Sequence, residues 1–129
     1  MLDKNYIIKM LNDLNLPPSE YWITSGSALV MHGVKQYTKD IDLGCTNSLW
    51  DFFLQNGHMF RVGKDNSKIM QINEYVEVIK EYHVEEIEFV EGLPTGSLKS
   101  IKKQKERLGR EKDIIDIRLI DEYIKKIDA

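Results

Sequence analysis

Hydrophobic positions along the chain repeat first at helical and then at strand spacing, and the changes of period mark its elements. Tyr6, Ile7, Met10, Leu11 and Leu14 recur at helical spacing before Pro17-Pro18, so residues 3–15 are expected to form an amphipathic packing helix. Tyr21-Trp22-Ile23-Thr24 is a short β-prone run that leads into Ser25-Gly26-Ser27, and Ala28 to His32 ends at Gly33. That order predicts strand, tight turn and short helix, with Gly33 at C′. Asp40-Ile41-Asp42-Leu43 alternates polar and apolar as a half-buried strand does, and Asn47-Ser48 can cap a helix over residues 49–55 closed by Gly57.

The period then shortens. Residues 59–62, 68–72, 75–80 and 85–90 read as strands, with Asp65-Asn66 and Asn73-Glu74 as hairpin turns. Gly92-Leu93-Pro94-Thr95-Gly96 reads as a loop, after which Ser97 caps a basic helix to about Leu108. Gly109-Arg110 breaks that helix, and a last one is expected to turn Ile114, Ile117, Ile120, Tyr123, Ile124 and Ile127 to the core. The order α-β-α-β-α-β-β-β-β-α-α predicts an α+β fold, a mixed or antiparallel sheet packed with helices, in a single domain over residues 1–129.

Length and composition set bounds on this picture. At 129 residues with 42% apolar content, the chain can bury a real core as one domain. Its net charge of −3 argues against coating nucleic acid by bulk electrostatics. The charge is unevenly placed: residues 74–91 carry −6 and residues 97–112 carry +5, an acidic band followed by a basic one. One cysteine, Cys45, excludes an internal disulfide and is expected in the core. With no leader-like segment or long apolar run, a cytoplasmic protein without a membrane partner is expected. His32, His58 and His83 lack metal-ligand spacing, so no zinc site is expected, and His32 suits a helix C-terminus. Trp22, Trp50, Phe52 and Phe53 are expected to build the core, with Trp50 or Tyr37 as the alternative platform for a base.

Gly26-Ser27 and Asp40-Ile41-Asp42-Leu43 carry the chemistry. Alternate strand residues project from one face about 7 Å apart, so Asp40 and Asp42 repel unless a cation lies between them. One or two carboxylates completed by phosphate oxygens is the usual way magnesium is held in phosphoryl transfer. Gly26 and Ser27 enter a helix, where backbone N–H groups, a hydroxyl and the positive helix end can meet phosphate oxygens.

Ile23-Thr24-Ser25-Gly26-Ser27-Ala28-Leu29-Val30-Met31-His32-Gly33 followed by Thr38-Lys39-Asp40-Ile41-Asp42-Leu43 resembles the signature of the DNA polymerase beta-like nucleotidyltransferase superfamily. The closest likeness is to the small type found in bacterial toxin (AbiEii-like) and antibiotic-modifying (lincosamide and aminoglycoside) nucleotidyltransferases. The run Lys105-Glu106-Arg107-Leu108-Gly109-Arg110-Glu111-Lys112-Asp113-Ile114-Ile115-Asp116-Ile117 resembles the segment that ends their core domain. The resemblance implies a minimal nucleotidyltransferase fold in which Asp40 and Asp42 bind two magnesium ions, while Gly26 and Ser27 hold the β- and γ-phosphates of a nucleoside triphosphate. A hydroxyl acceptor, whether a small molecule such as an antibiotic, a tRNA or a protein, would then receive the nucleoside monophosphate as pyrophosphate leaves.

The superfamily supplies a third carboxylate from a later strand, often Asp. Glu77 in Val76-Glu77-Val78-Ile79 is the best match, with Glu88 as its rival. Lys105, Arg110 and Lys112 are placed to offset charge on the triphosphate or leaving pyrophosphate, and Lys105 and Lys112 are taken as nucleotide-binding. Asp113 is read as a cap or partner for Arg110, and Asp116 as structural. Two departures stand out: Gln36-Tyr37-Thr38-Lys39 lacks the arginine that often precedes the threonine, and the chain ends directly after the core. A homodimer or partner protein is therefore expected to complete the cleft. The alternative is a non-catalytic nucleotidyltransferase-like binding protein of a toxin–antitoxin or defence module.

Overall fold

The computed structural model describes residues 1–80 and 82–128. Helix α1 (Lys4–Leu14) starts at Asp3, whose carboxylate accepts from the Tyr6 N–H, the capping expected of an aspartate there. Strand β1 (Tyr21–Thr24) runs into α2 (Ser25–Met31), which begins earlier than its apolar residues suggested, and β2 (Ile41–Cys45) leads to α3 (Asn47–Gln55). Gly33 follows α2 with φ +84°, the left-handed stop read from the sequence.

Strands β3 (Phe60–Val62), β4 (Lys68–Gln71), β5 (Val76–Lys80) and β6 (Ile87–Val90) fall within the expected runs. The segment read as a loop is a further strand, β7 (Leu93–Gly96), before α4 (Leu98–Leu108) and α5 (Glu111–Ile127). Glu91 and Gly92 have φ of +53° and +77°, so a two-residue type I′ turn joins β6 to β7. Proline and two glycines hid this strand, because its place is secured by pairing with β1 and β6 and not by β propensity.

All seven strands form one mixed sheet in the order β3-β4-β5-β2-β1-β7-β6. The fold is α+β, as expected. At its centre β2 runs parallel to β5 and antiparallel to β1. Ile23, Ile41, Leu43, Met70, Val76 and Val78 join Ile7, Leu11, Leu29, Met31, Trp50, Ile101 and Ile120 in one fully buried apolar cluster. Cys45 is buried within it.

Two core expectations need correction. Trp50 and Phe53 are buried, but Phe52 is exposed and Trp22, only partly buried against Gly44, lies outside the apolar cluster. Trp50 lies in the core, 5.8 Å from the Lys80 ammonium and beside Phe60, which leaves Tyr37 as the exposed one of the two candidate base platforms. On α5, Ile114 and Ile127 face solvent, and the buried residues are Asp113, Asp116 and Ile120. The inward stripe is offset from the isoleucines because Asp113 and Asp116 meet buried Lys105. A hydrophobicity pattern reads such paired carboxylates as solvent-facing. Among the described residues no helix is long and apolar enough to cross a membrane.

Candidate active site

Strand alternation places the first acidic residue of the site. Ile41 and Leu43 are completely buried on the core face of β2, so Asp42 between them projects from the opposite face. Asp40 immediately precedes the strand and is exposed. Because β2 and β5 are parallel and in register, Asp42 stands opposite Glu77, as Leu43 does opposite Val78. Thr24 of β1 is the other neighbour of Asp42.

Asp40, Asp42 and Glu77 line one cleft of about 460 Å³. Burial pushes the Asp42 carboxyl up to about 6, helped by the charges of Glu77 and Asp40 and opposed by Lys112 and Lys105. Among the described residues no ammonium or guanidinium pairs with Asp40 or Asp42. Glu77, by contrast, accepts a 2.9 Å hydrogen bond from Arg61 of β3. No three His, Cys, Asp or Glu side chains among the described residues converge closely enough to hold a metal. The expected trio therefore shares a cleft without forming a closed ligand set. The Asp40–Asp42 pair still offers the oxygen-only donors that suit magnesium, which commonly takes one or two carboxylates with phosphate oxygens and water.

Glu88 lies elsewhere. It is on edge strand β6, separated from β2 by β1 and β7, and its carboxylate is 3.4 Å from His32 Nδ1, whose Nε2 is 2.7 Å from the Gly96 carbonyl. Of the two candidates for third carboxylate, only Glu77 is beside Asp42.

The Ser25-Gly26-Ser27 segment divides its work differently from the sequence reading. The Ser27 side chain is buried; its hydroxyl donates to the Thr24 carbonyl at 2.8 Å and accepts from the Asp42 N–H at 3.1 Å. Ser27 thus locks the start of α2 to β2 beneath Asp42. Ser25 lines the cleft and has φ +54°, a conformation that costs a non-glycine residue about 1 kcal/mol. Strain of this kind concentrates at functional sites, but nothing in the sequence separated Ser25 from an ordinary turn serine. At Gly26 a Cβ would come within 3.2 Å of Thr38 Oγ1, so this turn packs tightly against the segment leading to Asp40.

The basic residues also separate. Arg110 and Lys112 line the cleft. Lys105 does not: its nearly buried ammonium lies 2.9 Å from Asp116 and 3.5 Å from Asp113, and its charge reaches Asp42 only from within the fold. Arg110 binds Asp113 through Nε and Nη2 at 2.7 and 3.2 Å, the partnership read from sequence. Burial raises the Asp113 carboxyl, but Arg110's hydrogen bonds and charge, with that of Lys105, outweigh it and hold the group below the ordinary value.

Tyr82, Lys64 and Asp65, the last read from sequence only as a turn residue, also line the cleft. Burial pushes the Tyr82 phenol up to about 12, so it is a neutral hydrogen-bonding group there. Its carbonyl accepts from Trp22 Nε1 at 2.9 Å, and Trp22 lies flat over Gly44, where a Cβ would collide with the indole. Neither Lys64 nor Tyr82 belongs to a motif, and both enter the site through tertiary packing alone.

Comparison by sequence finds no matching family and no matching curated protein. Comparison of structures finds the crystal structure of ANT(2″)-Ia, an aminoglycoside nucleotidyltransferase, in complex with adenylyl-2″-tobramycin. The match has a TM-score of 0.55 and 16% identity, and covers 95% of this chain and 88% of that one. The chain therefore has a nucleotidyltransferase-like fold.

Proposed function

We propose that this protein is a nucleotidyltransferase that moves a nucleoside monophosphate from a triphosphate to a hydroxyl acceptor. The observation that carries the reading is the state of Asp42. A half-buried carboxylate beside Asp40 and Glu77, with no cation paired to it among the described residues, is electrostatically incomplete. A divalent cation held by Asp40 and Asp42 would remove that deficit.

In this reading Asp40 and Asp42 hold magnesium, up to two ions, with Glu77 as the further carboxylate. Bound there, magnesium would neutralise phosphate charge and favour an in-line displacement. Lys112 and Arg110, which line the same cleft, receive the negative triphosphate and the pyrophosphate that leaves. Ser25 and the Gly26 backbone present hydrogen-bond donors at the turn into α2, and Ser27 holds that turn against β2. Glu77 is the base nearest to an acceptor hydroxyl bound over Asp42. Lys105 acts from beneath, fixing the α4–α5 junction that carries Arg110 and Lys112.

The structural neighbour is complexed with an adenylylated aminoglycoside. That supports a nucleotide and a small hydroxyl acceptor as partners here, with an antibiotic one candidate class. A second copy or a partner protein covering the cleft is part of the same proposal, as is placement in the small toxin and antibiotic-modifying type.

A thermal-shift panel tests the reading. The four nucleoside triphosphates, each with and without magnesium, are added to the wild type and to Asp42→Asn. A magnesium-dependent rise in Tm with at least one nucleotide, lost in Asp42→Asn, is expected, because a ligand that binds only the native state stabilises it by mass action. No shift with any nucleotide overturns the reading.

One observation favours a second reading. Glu77 is engaged by Arg61, so the carboxylates do not form a closed set, as in a nucleotide-binding protein without turnover. Magnesium-dependent nucleotide binding with no pyrophosphate release across a panel of RNA and aminoglycoside acceptors would select it.

A further inference from the structure

Arg61 reaches Glu77 by a route the sheet defines. Its β3 position pairs with Ile69 of β4, which pairs with Ile79 of β5. Arg61, Ile69, Ile79 and Glu77 therefore share the face of the sheet that carries the cleft, and Ile69, Ile79 and Glu77 line it. The guanidinium extends across β4 to meet Glu77 Oε1 at 2.9 Å, with the glutamate side chain 18% exposed and the arginine 54%. Glu77 is adjacent to Asp42 in register, yet its carboxylate is spent on the arginine and does not close a three-ligand set with the aspartates.

We infer that Arg61 is a positioning residue that holds Glu77 away from the Asp40–Asp42 pair, so that bringing Glu77 to a bound cation requires breaking the Arg61–Glu77 ion pair. This rests on the reading that Asp40, Asp42 and Glu77 serve a divalent cation. Its physical basis is competition for one anion. Glu77 cannot give the same oxygen fully to a guanidinium and to a metal, and uncompensated carboxylates in one cleft repel. Arg61 compensates part of the Glu77 charge while the cation is absent and competes with the cation for that carboxylate when it arrives. Since the arginine sits on an edge strand, half-exposed, its removal leaves the core untouched.

Titration with Mn²⁺ alone, read by loss of the free-ion EPR signal, tests this on wild type, Arg61→Ala, Arg61→Lys, Glu77→Gln and the Arg61→Ala/Glu77→Gln double variant, with Asp42→Asn to define the site. Arg61→Ala is expected to tighten Asp42-dependent Mn²⁺ binding about fivefold, the upper range for a partly exposed ion pair, with Arg61→Lys near wild type. In the Glu77→Gln background the same substitution is expected to have little effect. Equal tightening in both backgrounds would mean that Arg61 acts only through its bare charge on the cation, and no tightening would mean that the pair is bystander packing; either overturns the inference and leaves the functional reading standing. Absence of any Asp42-dependent Mn²⁺ binding in both the wild type and Arg61→Ala overturns this inference, whereas the functional reading, in which phosphate oxygens complete the site, stands or falls on the nucleotide thermal-shift panel.

Discussion

Asp42 and Glu77 stand opposite one another in the parallel β2–β5 pair, two acidic side chains on one face of the sheet. Like charges directly opposed on neighbouring strands destabilise a sheet, and Asp42 is mostly buried besides. Its carboxyl, at about 6 against 3.8 for the free group, binds a proton more tightly in the folded protein than in the unfolded chain. The stability this confers is fully present below about pH 3.8 and is lost as pH rises through about 6. Asp42→Asn is accordingly expected to stabilise the cation-free protein by about 3 kcal/mol at pH 8. The gain should fade by about pH 4. Urea unfolding of both proteins at the two pH values measures it, and a gain independent of pH would contradict it.

Lys105 carries a different kind of charge. Its ammonium, with the Arg110 guanidinium and the Lys35 ammonium, offsets the carboxylates of Asp113 and Asp116 at the α4–α5 junction. Removing one partner of a buried pair leaves an uncompensated charge, at a cost of about 3–5 kcal/mol. Lys105→Met should destabilise by about 3 kcal/mol at pH 7, and adding Asp116→Asn should restore part of the loss. If Lys105 serves mainly nucleotide binding, the single variant will keep its stability.

Asp113 responds to acid in the opposite sense from Asp42. Its folded value is depressed below 3.8, so its contribution is present above that value and is lost as pH falls through the folded one. Asp113→Asn should therefore cost stability at pH 7 and progressively less below about pH 4. Denaturation midpoints of the pair of proteins across that range supply the check.

Gly44 is set by close approach. A methyl group there meets the Trp22 indole, and displacing that ring disturbs its bond to the Tyr82 carbonyl in the cleft wall. Gly44→Ala should destabilise by about 1–3 kcal/mol, as overpacking does. It should also weaken nucleotide-dependent stabilisation, both readable in one thermal-shift series.

Ser25 and Ser27 are expected to part company. Ser27→Ala removes a buried hydroxyl bonded to Thr24 and Asp42 and should lower stability by about 1–2 kcal/mol. Ser25→Ala should leave baseline stability unchanged and reduce the Tm rise given by magnesium and nucleotide. Identical behaviour of the two variants would remove the distinction.

The local elements and the core of the acidic site follow from short stretches of the chain. Alternation in Asp40-Ile41-Asp42-Leu43 required Asp42 to leave the face that Ile41 and Leu43 bury, because side-chain direction in a strand is a short-range property of the backbone. The same locality made α1, the Gly33 stop and the Arg110–Asp113 partnership legible. Tertiary structure decided what depends on neighbours distant in the chain. Parallel pairing of β2 with β5 put Glu77, and not Glu88, beside Asp42. Pairing on both sides made Leu93–Gly96 a strand despite its proline. Burial turned Lys105 from a cleft cation into a partner of Asp113 and Asp116, and cross-sheet reach gave Glu77 to Arg61. A charge in a sequence has no sign of its partner; only the fold brings the two within hydrogen-bonding distance and sets the solvent exposure that gives their meeting its energy.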